Sequence, residues 1–313
     1  LGTRAASTLT EVGHQSDGIP VSKTALSNLG PYRLVKLVHD GEGSRIWRAY
    51  HDGSQKFVGI KTLSEKYKRS RERLGQLKQE YAVGVKLNHP NILRIHEFGI
   101  ERGTPYVAME WFPAPTMKRR IHLGIDRIAH LLPKIILQAT EALAYFNEQG
   151  WIHRDVKPDN FLIDDEGEVK LIDFALARRK RGTLGRLFGQ RSKIQGTRSY
   201  MSPEQIRNWA LDERSDVYSL GCTIYHLIVG NPPFTGTNTN ELLKKHLRAP
   251  PPRLEAANRN VTPAFSSLIR ATMAKKAADR PKSARALWTQ LREIPLFLNP
   301  PKPLPPQAGE DAG

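Results

Sequence analysis

The eight residues His153-Arg154-Asp155-Val156-Lys157-Pro158-Asp159-Asn160 constrain this chain more than any other stretch. Their form, H-R-D-x-K-x-x-N, puts a carboxylate, an ammonium group and a carboxamide on one short loop. Phosphoryl transfer needs those three groups. Asp155 can accept the proton of an attacking hydroxyl. Lys157 can neutralise charge that grows on a transferred phosphoryl group, and Asn160 can hold a metal ion. A chain that uses such a loop must fold so that other charged groups meet it from elsewhere in the sequence.

Those groups follow in a telling order. Val58-Gly59-Ile60-Lys61 ends in a lysine within an apolar run, and Glu80 lies nine residues before His89-Pro90-Asn91-Ile92. Asp173-Phe174-Ala175 begins thirteen residues after Asn160. Gly196-Thr197, Ser202-Pro203-Glu204, Ser215-Asp216-Val217-Tyr218-Ser219-Leu220-Gly221 and Asp279-Arg280-Pro281 complete the set. From roughly Tyr32 to Ile294 the chain resembles the eukaryotic-type serine/threonine protein kinases, and its phrasing, such as Tyr200-Met201-Ser202-Pro203-Glu204-Gln205, resembles the bacterial members.

The resemblance implies an α+β fold of two lobes, a small β-rich lobe with one helix and a larger, mainly helical lobe. It implies ATP as phosphoryl donor with Mg²⁺ or Mn²⁺, and protein serine or threonine as acceptor, which Lys157 two residues after Asp155 favours over tyrosine. Lys61, aimed by Glu80, is expected to reach the ATP phosphates. Asn160 and Asp173 are the expected metal ligands, and hard oxygen donors suit Mg²⁺. Thr197 is expected to bond Asp155 and Lys157. Val38 and Ile46 are expected above the adenine and Leu162 below it. Met109 stands at the gatekeeper position, and Glu110 to Phe112 form the hinge. Glu204 and Arg280 are expected as a buried ion pair, Asp216 as a brace for the catalytic loop, and His153 as scaffold.

Three departures from the family pattern stand out. In the phosphate-covering loop His39-Asp40-Gly41-Glu42-Gly43-Ser44-Arg45-Ile46, Gly41 is kept, His39 and Ser44 replace the first and third glycines, and Gly43 is added. Gly59 replaces the usual alanine, which removes one methyl from the adenine pocket. Ala175 replaces a glycine; if that position needs positive φ, its Cβ costs about 1–2 kcal/mol. These departures keep a rival reading open, a pseudokinase that binds nucleotide as a scaffold or interaction module.

Composition bounds the remaining readings. The 313 residues suit one large domain or two modest lobes, and 39% hydrophobic content supports a normal core. One cysteine, Cys222 in apolar surroundings, excludes a disulfide framework and fits a reducing, cytoplasmic setting. No apolar run reaches the ~18 residues a membrane span requires, although a start at Leu1 suggests a trimmed chain and leaves a tether outside it open. The net charge of +17 points to acidic partners. The run from Arg178 to Arg198 carries eight basic and no acidic residues. It contains Thr183 and Ser192, the leading candidates for autophosphorylation and docking on Arg154, with Ser199 third. Acidic protein substrates, the chain itself and a dimer are the partners considered. A nucleic-acid binder has the charge but no recognition motif.

Along the chain, residues 1–30 read as a flexible lead-in. Residues 31–294 read as the domain, divided near 112, and the proline-rich 295–313 as a linker or tail. Strands are expected at Tyr32–Val38, Ile46–Tyr50, Phe57–Leu63, Ile92–Phe98 and Tyr106–Glu110. Helices are expected at Arg71–Leu87, from an N-cap at Asp126 through Phe146, at Asp216–Val229 (apolar nearly all round, hence buried), and over 239–248, 262–274 and 283–293.

Overall fold

The computed structural model describes residues 28–41, 43–180 and 196–304. Thr183 and Ser192 lie outside them, as does most of the basic run.

The small lobe is built on one six-stranded antiparallel sheet. Its strands are β1 (Asn28–Leu29), β2 (Tyr32–Asp40), β3 (Ser44–His51), β4 (Lys56–Leu63), β5 (Ile95–Glu101) and β6 (Thr104–Glu110), ordered β1-β2-β3-β4-β6-β5. Strand alternation sorts β4 into two faces. Val58 and Ile60 join Leu29, Tyr32, Leu34, Ala49, Tyr106 and Ala108 in an outer apolar cluster. Gly59, Lys61 and Leu63 face the other way, and Leu63 joins the main core with Leu77 of helix α1 (Arg71–Gly84). The same alternation therefore delivers Lys61 to the helix side of the sheet. Helix α1 starts where the Ser70 side chain accepts from the Arg73 N–H. It ends at Gly84, three residues before the sequence reading.

The large lobe is mainly helical. Its helices are α2 (Met117–His122), α3 (Leu132–Glu148), α4 (Pro203–Ile206), α5 (Glu213–Val229), α6 (Thr239–Arg248), α7 (Leu254–Ala257), α8 (Pro263–Thr272) and α9 (Ala284–Glu293). Short strands β7 (Trp151–Ile152), β8 (Phe161–Ile163), β9 (Val169–Leu171) and β10 (Arg178–Arg179) frame the loop that carries Asp155. Asp126 does not cap α3. It opens a separate 3₁₀ turn, Asp126–Leu131, whose N-cap is Ile125. The α-helix proper begins at Leu132 with Pro133 in its first turn, where a missing N–H loses no hydrogen bond.

Helix α5 is buried almost all round, as its composition implied, and stops at Gly230, whose φ of 81° suits glycine. Burial pushes the thiol of Cys222, on this helix, up to about 12. Packing continues past α9: Leu296 and Phe297 are buried, and Phe297 bridges Val261. Among the described residues no helix is long and apolar enough to cross a membrane.

One buried ion pair ties the base of the large lobe together. Arg280 Nη1 and Nη2 donate to Glu204 Oε1 and Oε2 at 2.7 and 2.9 Å. Arg280 also donates to the carbonyls of Arg214 and Ala274, each at 2.8 Å. Burial works against the Glu204 carboxylate, but Arg280 and the Ser215 hydroxyl more than offset it and hold its pKa below the usual range. Removing one partner strands a buried charge. Arg280→Ala is expected to destabilise the domain by about 3–5 kcal/mol in urea unfolding; a loss under about 1 kcal/mol, the range of an exposed pair, would contradict the pair's burial.

Candidate active site

The cleft between the lobes gathers the charged residues that the sequence singled out. From the sheet side, Lys61 Nζ lies 2.6 Å from Glu80 Oε2 and 3.9 Å from Asp173 Oδ1. Burial disfavours charge on Lys61, yet Asp173 and Glu80 together outweigh it and raise its pKa. Burial, joined by the neighbouring Asp173 charge, pushes the Glu80 carboxyl up to about 7 against the pull of Lys61. The ammonium group is thus held charged between two carboxylates.

From the large lobe, the 153–160 loop is shaped by a buried carboxylate beneath it. Asp216 Oδ2 accepts from the His153 N–H at 2.8 Å and from Asn147 Nδ2 at 2.9 Å, while Oδ1 accepts from the Arg154 N–H at 2.9 Å. Arg154 takes a left-handed φ of 71°, and the Gln205 side chain donates to its carbonyl at 2.8 Å. His153 is fully buried and packs against Phe146 and Phe174.

Asp155 is fixed on both oxygens. The Thr197 N–H donates to Oδ1 at 2.9 Å, and Lys157 Nζ lies 2.7 Å from Oδ2. Lys157 also donates to Thr197 Oγ1 at 2.8 Å, which closes a triangle of the three residues. Gly196 makes the approach possible: its φ is 112°, and a Cβ there would stand 3.0 Å from the Arg154 carbonyl.

Asn160 donates through Nδ2 to the Asp155 carbonyl at 2.7 Å. With Nδ2 so engaged, the amide oxygen is the side chain's remaining acceptor and ligating atom. Asp173 takes a left-handed φ of 64°, and its Oδ1 accepts from the Ala175 N–H at 3.2 Å. Burial opposes its charge, but Lys61 and the Ala175 N–H more than offset this and lower its pKa. An ionised carboxylate and an oriented amide oxygen make a hard-oxygen donor set that fits Mg²⁺ or Mn²⁺. Ala175 is absent from the residues with positive φ. The strain anticipated there does not arise, because the left-handed turn falls at Asp173. Phe174 is buried, stacked on Phe146 and beneath Gly84 of α1.

The residues expected around the adenine lie on β2, β3, β6 and β8, with Phe112 just after β6. Ile46 pairs across the sheet with Lys61, Val38 sits exposed at a bulge in β2, and Leu162 lies in β8. Met109 is buried in β6 opposite Gly59. Glu110 ends β6, where Lys170 holds its carboxylate at 2.8 Å, and the Lys170 ammonium lies 5.7 Å from the Phe112 ring. Nothing in the spacing alone had marked Lys170.

The methyl missing at Gly59 does not leave empty space. A Cβ there would stand 3.0 Å from Met109 Cγ and 3.4 Å from the Glu110 carbonyl. Met109 already fills the volume.

The fold and this constellation together are those of a protein kinase domain. The protein kinase domain model matches residues 32–292, and the chain belongs to that family. It is 30% identical over 263 residues to serine/threonine-protein kinase PknL of Mycobacterium tuberculosis, covering 84% of this chain and 65% of that protein. It is 31% identical over 268 residues to serine/threonine-protein kinase PknB of Mycolicibacterium smegmatis, covering 84% and 43%. Serine/threonine-protein kinase pkn3 of Myxococcus xanthus is 30% identical over 271 residues, covering 84% and 50%. The chain spans between 38% and 65% of the length of such relatives.

The Gly59–Met109 contact can be tested by itself. Gly59→Ala is expected to destabilise the protein by about 1–3 kcal/mol through overpacking. In a Met109→Ala background the same change is expected to be milder by about 1 kcal/mol. Equal losses in both backgrounds, read from urea midpoints, would mean that the two residues do not compete for the space.

Proposed function

We propose that this chain is an ATP-dependent serine/threonine protein kinase. The observation that carries the reading is the triangle of Asp155, Lys157 and Thr197, facing a closed Lys61–Glu80 pair. They are, on this reading, the two halves of a phosphoryl-transfer site. In this reading Val38, Ile46 and Leu162 enclose the adenine, with Met109 at the rear and Glu110 to Phe112 at the edge. Gly41 and Gly43 lie over the phosphates, and Lys61 neutralises them.

The substrate hydroxyl oxygen attacks the γ-phosphorus, the bond to the β-phosphate oxygen breaks, and ADP leaves. Asp155 receives the hydroxyl proton. Lys157 balances charge on the transferred group while Thr197 holds both side chains in register. Asn160 and Asp173 would hold Mg²⁺ or Mn²⁺, which supplies charge neutralisation at the phosphates when bound. Most of the acceleration in this scheme comes from positioning and preorganised charge.

The exposed Arg178, Arg179 and Arg198 at the margins of the loop region favour acidic protein substrates. The chain's own Thr183 and Ser192 are included among the acceptors. Use of ATP and a lone reduced cysteine fit a cytoplasmic setting.

One observation favours a pseudokinase as the second reading. In the loop over the phosphates the His39 ring folds onto Gly41, so that a Cβ on Gly41 would stand 2.6 Å from Nε2. A side chain occupies a place where the family pattern keeps a glycine.

The test is incubation with Mg²⁺, labelled ATP and acidic and basic protein acceptors. The wild type is expected to transfer label. Asp155→Asn is expected to lose about 10²–10⁴-fold in rate, as for removal of a general base. ATP binding without transfer by the wild type would instead establish the pseudokinase. Phosphopeptide mapping of active protein is expected to find phosphate on Thr183 or Ser192; activity with both unmodified would refute autophosphorylation there.

A further inference from the structure

The added glycine of the phosphate-covering loop, Gly43, has a partner that the catalytic scheme does not use. The guanidinium of Arg73, from the first turn of α1, lies against it. A Cβ on Gly43 would stand 3.1 Å from Arg73 Cζ, 3.2 Å from Nη1 and 3.5 Å from Nε. Three atoms of the planar group at nearly equal distance mean that its face lies flat on the glycine. Arg73 is steadied there by Gln76, whose Oε1 accepts from Nη1 at 3.2 Å, and by the Tyr67 ring, 5.1 Å from Cζ. On its other side Gly43 is pinned by the sheet, its carbonyl accepting from the Ser64 N–H at 3.3 Å.

Arg73 and Glu80 are seven residues apart on α1. Seven residues are two helical turns, about 10.5 Å, on one face. One rigid helix therefore meets the β2–β3–β4 unit at two points. Glu80 meets Lys61 deep in the cleft, and Arg73 meets Gly43 near the tip of the hairpin. A helix that swings away from the sheet gives up both contacts together.

We propose that Arg73 is a positioning residue that couples the inward seating of α1 to the seat of Gly43 at the entry to β3, and so to the placement of strands β2 and β3 over the nucleotide phosphates. This rests on the phosphotransferase reading for the identity of the nucleotide, while the mechanical link stands on the contacts alone. It also accounts for a glycine at 43: a Cβ there would force the guanidinium to give by a few tenths of an ångström, and a larger side chain by more.

The coupling is read by hydrogen–deuterium exchange at the amides of 43–46, using the full chain with and without a non-hydrolysable ATP analogue and Mg²⁺. Glu80→Gln, which loosens α1, is expected to speed exchange at 43–46 in the wild-type background and to have no such effect in an Arg73→Ala background. Arg73→Ala alone is expected to raise Kd for the analogue and KM for ATP by about 3–10-fold, with a smaller change in kcat. Gly43→Ala is expected to reproduce the faster exchange, and its combination with Arg73→Ala to add little. Arg73→Lys keeps the charge but not the planar face, and is expected to rescue less than half of the effect.

Equal loosening of 43–46 by Glu80→Gln with and without Arg73 would overturn the proposal, as would unchanged exchange in Arg73→Ala. If the wild type binds no analogue, the phosphotransferase reading fails, and the nucleotide-free exchange comparison still decides the coupling.

Discussion

The 153–160 loop depends on a carboxylate buried beneath it. Asp216 projects from a buried helix and accepts the N–H groups of His153 and Arg154 and the amide of Asn147. Burial of an ionised carboxyl is unfavourable, and it raises the Asp216 pKa despite three donors. The arrangement persists because those donors would otherwise be buried without partners, at roughly 1–3 kcal/mol for each. The two backbone N–H groups force the turn that puts Arg154 in a left-handed conformation. That turn aims Asp155 upward into the cleft. The scaffold is therefore electrostatic at its root, and the apolar packing of His153 between Phe146 and Phe174 fixes it from the side.

A second principle governs the cleft: each ionisable group is oriented by another that is also needed. Lys61 is aimed by Glu80, and Lys157 by Asp155 and Thr197. Such mutual orientation loses less side-chain freedom when a substrate arrives, because the entropy of ordering has already been given up on folding. It also makes the site cooperative. The Phe174 ring beneath Gly84 links the Asp173 turn to the seat of α1, so the Asp173 end and the Lys61 end of the cleft are held by the same helix.

Much of this was legible in the sequence because it resides in short motifs whose members lie close together or recur in fixed order. Five strands of the main sheet were found within a few residues, but β1 (Asn28–Leu29), with Leu29 buried, fell inside the stretch read as a flexible lead-in; the buried helix at 213–229 announced itself by composition. Asp126 was misread because a carboxylate before an apolar period looks like a cap, whereas Pro133 in the first turn was the truer start signal. The Ala175 strain was misplaced because a two-residue shift of the left-handed turn, onto Asp173, cannot be seen in residue types. Lys170, which holds Glu110 across the hinge, and Arg73, which meets the loop, escaped notice because pairings between distant elements leave no local period.

Gly59 and Gly43 show why a missing side chain is ambiguous in a sequence. Each removes a Cβ from a wall of the nucleotide cleft, and each suggested extra room or mobility. In the folded protein both places are filled from across the structure, by Met109 and by Arg73. Interiors close to crystalline packing density leave few voids. A glycine in a packed strand or hairpin is therefore often the mark of a neighbour that has moved in. Here the neighbours differ in consequence. Met109 adds a fixed apolar surface to the rear of the cleft. Arg73 adds a contact between α1 and the β2–β3 hairpin, and it is on this contact that the proposed coupling of the two rests.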